Sequence, residues 1–147
     1  MNTRMYFAAL IALTACASAP AIYHTSTLNT ADATYVCALS QVNERGYTVM
    51  TADKESARII GQRQFHNASL PVIGGNVKRD ELNVAIYPDS DGKSRKMRIT
   101  ALSDQETRTL LSTRVRDLRP TPQVRADASA ILKACGDGVV VTEGAKR

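Results

Sequence analysis

Apolar and polar positions divide the chain into helical and extended stretches of different period. Tyr35, Leu39 and Val42 recur at helical spacing between Asp32, a capping type, and Gly46, a left-handed stop, which predicts a helix over residues 32–45. Residues 47–52 (YTVMTA) are β-branched and aromatic and end in the polar turn Asp53-Lys54-Glu55-Ser56, after which residues 57–65 form the second arm of a hairpin. Over residues 80–87, Leu82, Val84 and Ile86 alternate with Asn83, Ala85 and Tyr87, the signature of a half-buried strand. The turn Pro88-Asp89-Ser90-Asp91-Gly92 leads into a return strand over 94–102, with Met97, Ile99 and Ala101 facing in. Residues 110–116 read as a further strand, although 104–108 could equally begin a short helix. Thr121 caps, Pro122 suits a first helical position, and Val124, Ala128, Ile131, Leu132 and Cys135 form one stripe before Gly136. From Asp137 the tail is expected to fray, although Val139-Val140-Val141 could add a small edge strand.

Helices at both ends of a meander must bury their stripes against something, and one face of the sheet offers the surface. The predicted fold is α+β: a two-layer sandwich in which an antiparallel sheet of four or five strands carries an N-terminal and a C-terminal helix on one face.

The start of the chain follows a different rule. Arg4 lies in a short polar lead, residues 5–13 are almost wholly apolar, and Leu13-Thr14-Ala15-Cys16 follows at once. A basic start, a short apolar run and small residues before a cut make a secretory signal. The run is too short to span a bilayer, which takes about 20 residues. Its end resembles the lipobox of bacterial lipoproteins: Leu, a small residue, Ala or Gly, then Cys. The resemblance covers residues 1–16 and no more. It implies cleavage after Ala15, a diacylglyceryl group and further acylation (palmitate or similar) on Cys16, and attachment to a membrane through that lipid. Ala17, where an Asp would favour inner-membrane retention, implies a lipid anchor in the cell outer membrane facing the periplasm.

The expected organisation is a signal peptide (1–15), a lipid-anchored flexible tether (16–31) of small and polar residues around Pro20, one α+β domain (32–136) and a C-terminal tail (137–147). The length allows one domain and no more. The chain has no Trp, and 5% of its residues are aromatic, so the core must rest on Val, Ile, Leu, Met and Ala. Net charge is +5, of which Arg4 is lost with the signal, leaving about +4 on the mature part. This mild basicity suits anionic lipid heads, wall polymers or an acidic envelope protein, while an exported chain does not meet nucleic acid. Oligomeric state is not legible.

With Cys16 assigned to lipid, Cys37 and Cys135 remain as an even pair in an oxidising compartment. A bridge would close a loop of about 100 residues. Cys135 lies on the apolar face of its helix, whereas Cys37 points away from the face made by Tyr35, Leu39 and Val42. The two meet only if the end of the second helix packs beside the first; otherwise both are free thiols.

Two further features invite a functional reading. Lys96, Arg98, Arg114 and Arg116 alternate with inward residues, so they are expected on the sheet face away from the helices, as a basic surface for phosphate or carboxylate groups. An apolar loop, with Leu70, Val72 and Ile73 ahead of Gly74-Gly75, could dock on a partner. Catalytic chemistry finds no support: His24 and His66 lack partners at catalytic or ligand spacing, there is no nucleophile elbow or paired-carboxylate signature, and no Gly-Lys-Ser/Thr follows the paired glycines. No metal or cofactor is expected. The expected function is a small non-catalytic periplasmic binding or assembly-accessory module. The alternative is direct binding of anionic cell-wall glycan or lipopolysaccharide through the basic sheet face.

Overall fold

The computed structural model describes residues 19–66, 75–137 and 140–143. Its frame is one long antiparallel pair, β4 (Asn76–Pro88) and β5 (Arg95–Arg108), in register from Asn76 opposite Thr107 to Pro88 opposite Arg95. β3 (Arg58–His66) lines the outer edge of β4, and β2 (Thr48–Asp53) lines β3. The other edge of β5 is shared. β1 (Ala21–Thr27) pairs with residues 95–101 and β6 (Thr113–Leu118) with residues 103–108. β7 (Val141–Glu143) adds to the free edge of β1. All seven strands belong to one antiparallel sheet.

The helices α1 (Ala31–Glu44) and α2 (Pro122–Cys135) cover one face. That face presents Ile59, Leu82, Val84, Ile86, Met97, Ile99 and Ala101, all buried, and the helices contribute Tyr35, Ala38, Val42, Val124, Ala128, Ile131 and Leu132. The α+β two-layer expectation therefore holds, with more strands than four or five. α1 starts one residue before the expected Asp32 because Thr30 supplies the cap, its hydroxyl accepting from the Ala33 N–H at 3.2 Å. Gly46 takes the left-handed conformation (φ +76°) and turns the chain into β2. Gly61 is needed for a different reason: a Cβ there would lie 2.6 Å from Val42 Cγ1, so its absence lets α1 sit directly on β3.

The flexible tether expected over 16–31 is corrected by β1. Tyr23, Thr25 and Thr27 are buried and alternate with outward residues, so the period of 2 is present. Threonine in the inward positions disguises it as polar linker, although its β-branched shape fits a pleated surface. The polar stretch 104–108 is strand and not helix, since it is flanked by β4 and β6 on both sides. β7 lies slightly later than the expected edge strand and includes Val141 of that run.

Cys37 and Cys135, 98 positions apart in sequence, form a disulfide with Cα atoms 5.7 Å apart. The buried stripe of α1 runs through Thr34, Tyr35, Ala38 and Val42, rotated from the expected Tyr35–Leu39–Val42 face. This brings Cys37 to the flank that meets α2. No helix among the described residues is long and apolar enough to cross a membrane.

Candidate functional site

Residues directly opposite on neighbouring antiparallel strands share a face, so the register sorts the sheet into rows. Under the helices lie the apolar rows Tyr23–Ile99–Val84–Ile59 and Ala21–Ala101–Leu82–Gly61. The next row on the same face is polar: Leu118–Ser103–Asp80–Arg63. Beyond it come Arg116–Gln105–Lys78–Phe65 and then Arg114–Thr107–Asn76. The core thus ends at Asp80, and the sheet continues two rows further into a cationic shelf.

The boundary is sealed by a buried charge cluster at the first turns of α2. Arg63 Nη2 lies 3.0 Å from Asp127 Oδ2 and 3.6 Å from Asp80 Oδ2, and its Nη1 donates to the Arg45 carbonyl at 3.1 Å. The guanidinium stacks over the Tyr47 ring at 4.4 Å and the Phe65 ring at 5.2 Å. Asp127 also accepts from the Tyr47 hydroxyl at 3.0 Å and from Gln123 Nε2 at 3.1 Å. Asp80 accepts from the Ser103 and Thr121 hydroxyls, at 2.5 and 2.8 Å. Thr121 in turn caps α2 by accepting from the Val124 N–H at 3.2 Å. Each carboxylate oxygen of Asp80 and Asp127 has a donor, so this is a structural clasp. Burial, ahead of the opposing pull of Arg63, pushes the Tyr47 phenol well above its ordinary range, which keeps it a neutral donor.

Against this clasp the shelf forms a groove of about 390 Å³ between the start of α2 and β4, with Phe65, Leu118 and Pro122 as apolar walls and Lys78 and Gln123 as polar ones. Among the described residues Lys78, Arg114 and Arg116 take part in no ion pair. The opposite face at this end is neutralised instead. Arg79 bridges Asp104 at 2.9 Å and Glu106 at 3.0 Å, and Arg108 also donates to Glu106. The hydrogen bond from Arg108 is the main reason the Glu106 carboxyl sits below the usual carboxylate range.

The four basic residues singled out in the sequence do not make one surface. Lys96 and Arg98 lie on the helix-free face, in rows with Tyr87 and Ser26 and with Ala85 and His24 respectively. Arg114 and Arg116 project from the helix-bearing face, beyond the helices. The reason is the turn at 109–112: it sets Thr113 opposite Arg108, so Leu118 faces in and Val115 faces out, 60% exposed. The alternation of β6 read by itself gives no way to know this parity. Cys16 and the loop residues Leu70, Val72 and Ile73 lie outside the described residues. Lys78, Phe65 and the Arg63–Asp80–Asp127 clasp were not anticipated. Asp127, on the buried face of an otherwise apolar helical stripe, was the available signal. Among the described residues there is no cluster of three or more His, Cys, Asp or Glu able to hold a metal. No protein-family model matches the chain, and neither does any curated protein.

Proposed function

We propose that the chain is a lipid-anchored, non-catalytic binding module of the outer membrane, facing the periplasm, whose working surface is the helix-free end of the sheet. The observation that carries the reading is the run from Arg4 to Cys16, a charge, an apolar stretch and a cysteine after Leu13-Thr14-Ala15. Asp80 and Asp127 are buried and engaged in holding α2 to the sheet, which supports a binding role over a catalytic one. Tethering raises the local concentration of such a domain near its target, so modest affinity suffices. Intact mass spectrometry of the exported protein is expected to show cleavage before Cys16 and an acylated residue 16. A Cys16→Ser chain is expected to lose the acyl mass, and an unacylated wild-type protein overturns the reading.

Direct binding of anionic glycan or lipopolysaccharide remains the second reading, and the placement of Lys78, Arg114 and Arg116 moves it from the helix-free face to the shelf beside α2. Charge reversal with Lys78→Glu and Arg116→Glu is expected to weaken low-salt cosedimentation with murein or lipopolysaccharide, while Lys96→Glu leaves it unchanged. Equal retention of all variants removes this reading and leaves an envelope protein as the target.

A further inference from the structure

The turn between β5 and β6 carries the most exposed apolar pair of the described structure. Leu110 is 83% and Leu111 97% exposed, at the far tip of the sheet, with no core nearby to receive them. The helix-bearing side of the tip is cationic. Arg114 follows the tip, with Arg116 one row further back, both exposed and in no ion pair among the described residues, while Arg108 ahead of it is paired with Glu106. Two leucines at an apex, backed by arginines long enough to lie along the surface and keep their charge in water, match the interface of an anionic bilayer.

The direction of the chain gives a second, independent argument. β1 runs antiparallel to β5, with Ala21 beside Ala101 and Thr27 beside Arg95. The chain therefore enters β1 from the side on which β5 ends, the same side as Leu110 and Leu111. From Ala101 to Arg108 the strand advances roughly 24 Å at about 3.4 Å per residue. Residues 16–21, however extended, reach at most roughly 18 Å. With Cys16 held at the headgroups and the strands upright, the tip extends beyond Cys16 by several ångströms, into the depth that interfacial apolar groups occupy. The anchor is too short to hold the tip clear of the membrane unless the domain lies over.

We infer that the Leu110–Leu111 turn is a second membrane contact, which inserts into the anionic leaflet that holds the acylated Cys16. It rests on the lipid-anchor reading. The pair fixes the orientation of the domain: two attachment points stop it from swinging freely on one residue, and the cationic shelf is held next to the headgroups.

The chain has no Trp, so a single introduced indole reports its own surroundings. The acylated protein carrying Leu111→Trp is purified from membranes in detergent and reconstituted into phosphatidylethanolamine–phosphatidylglycerol vesicles. Emission is expected to shift to shorter wavelength and to be quenched by lipids brominated on their acyl chains. Leu28→Trp, at the opposite end of β1 and 79% exposed, is expected to stay solvent-like in the same vesicles. Protein that floats with the vesicles while Leu111→Trp emits as it does in buffer overturns the second contact and leaves the anchor standing. If mass spectrometry shows no acyl group, the anchor reading fails by itself. Preformed vesicles added to that same protein then decide the tip: a blue shift, weakened on the order of tenfold by Leu110→Ser, retains it, and no shift overturns it. A shift seen only with solubilised envelope protein and not with pure lipid also overturns it, in favour of a protein partner.

Discussion

Replacing Arg63 by Met tests the clasp where the core ends. Met keeps the apolar stem between Tyr47 and Phe65 but removes the only cation that lies within ion-pair distance of both Asp80 and Asp127 among the described residues. At separations of 3.0 and 3.6 Å and an effective dielectric of about 20, each attraction is about 5 kcal/mol before desolvation is counted. Desolvation of the three charges offsets most of this in the intact protein. It is not recovered when Arg63 is deleted, because the Asp80 and Asp127 side chains stay 1% and 5% exposed and only Asp127 keeps a second cation, Arg45 at 3.7 Å. The expected cost is about 3–5 kcal/mol, a large share of the roughly 5–15 kcal/mol that holds a typical domain folded. Thermal unfolding followed by circular dichroism, with the disulfide intact, should show Tm lowered by roughly 10–20 °C. Adding Asp80→Asn and Asp127→Asn to Arg63→Met should restore at least half of the loss, since the buried negative charges go with them. A fall worth less than about 1 kcal/mol, or no recovery in the triple variant, would refute charge balance as what holds the start of α2 to the sheet.

Three other perturbations probe separate parts of the fold. Removing the bridge with Cys37→Ala and Cys135→Ala should lower the unfolding free energy in urea by about 2–5 kcal/mol, since closing a 98-residue loop is worth about 4.7 kcal/mol in entropy alone; an unchanged midpoint would show the helices hold together without it. Gly61→Ala forces a Cβ against Val42 and should cost about 1–3 kcal/mol, with Val42→Ala in the same chain relieving part of the strain; full stability of the single variant would mean α1 is not seated on β3 as described. Glu106 has a lowered pKa in the folded state, so its contribution is present above the ordinary glutamate range and is lost as pH falls through the lowered value. The Tm gap between the native protein and Glu106→Gln should therefore narrow as pH falls below the ordinary glutamate range, and a gap that stays constant on acidification would deny the carboxylate its role.

What could be read in advance divides along physical lines. α1, α2 and the β4–β5 pair carry strong local signals: a cap, a stripe of one period, and a turn rich in Asp and Gly. β1 does not, because its inward Thr25 and Thr27 are chemically polar though sterically suited to a strand, and their burial depends on α2 and Gly136 arriving from the other end of the chain. The face on which Arg114 and Arg116 stand depends on how the turn at 109–112 sets the pairing of β6, a property of two strands together. The shelf was hidden for the same reason. Phe65, Lys78, Gln105 and Arg116 are scattered over 52 positions of sequence and become a row only through three pairings. Cys37 could be bridged once the buried stripe of α1 turned by part of a helical step toward Thr34 and Ala38.

The divided edge of β5 has a consequence for how the protein comes into being. In a chain made amino end first, β1 appears 68 to 80 residues ahead of its pairing partner, from Thr27 opposite Arg95 to Ala21 opposite Ala101. Until residues 95–101 arrive, seven residues of strand stand with both edges bare, a state open to capture by another copy. Among the described residues, β1 is then locked from its other side by β7 alone. Premature termination anywhere before β5 would thus leave an orphan strand, and the folding chain should lean on holding factors more heavily than its small size suggests.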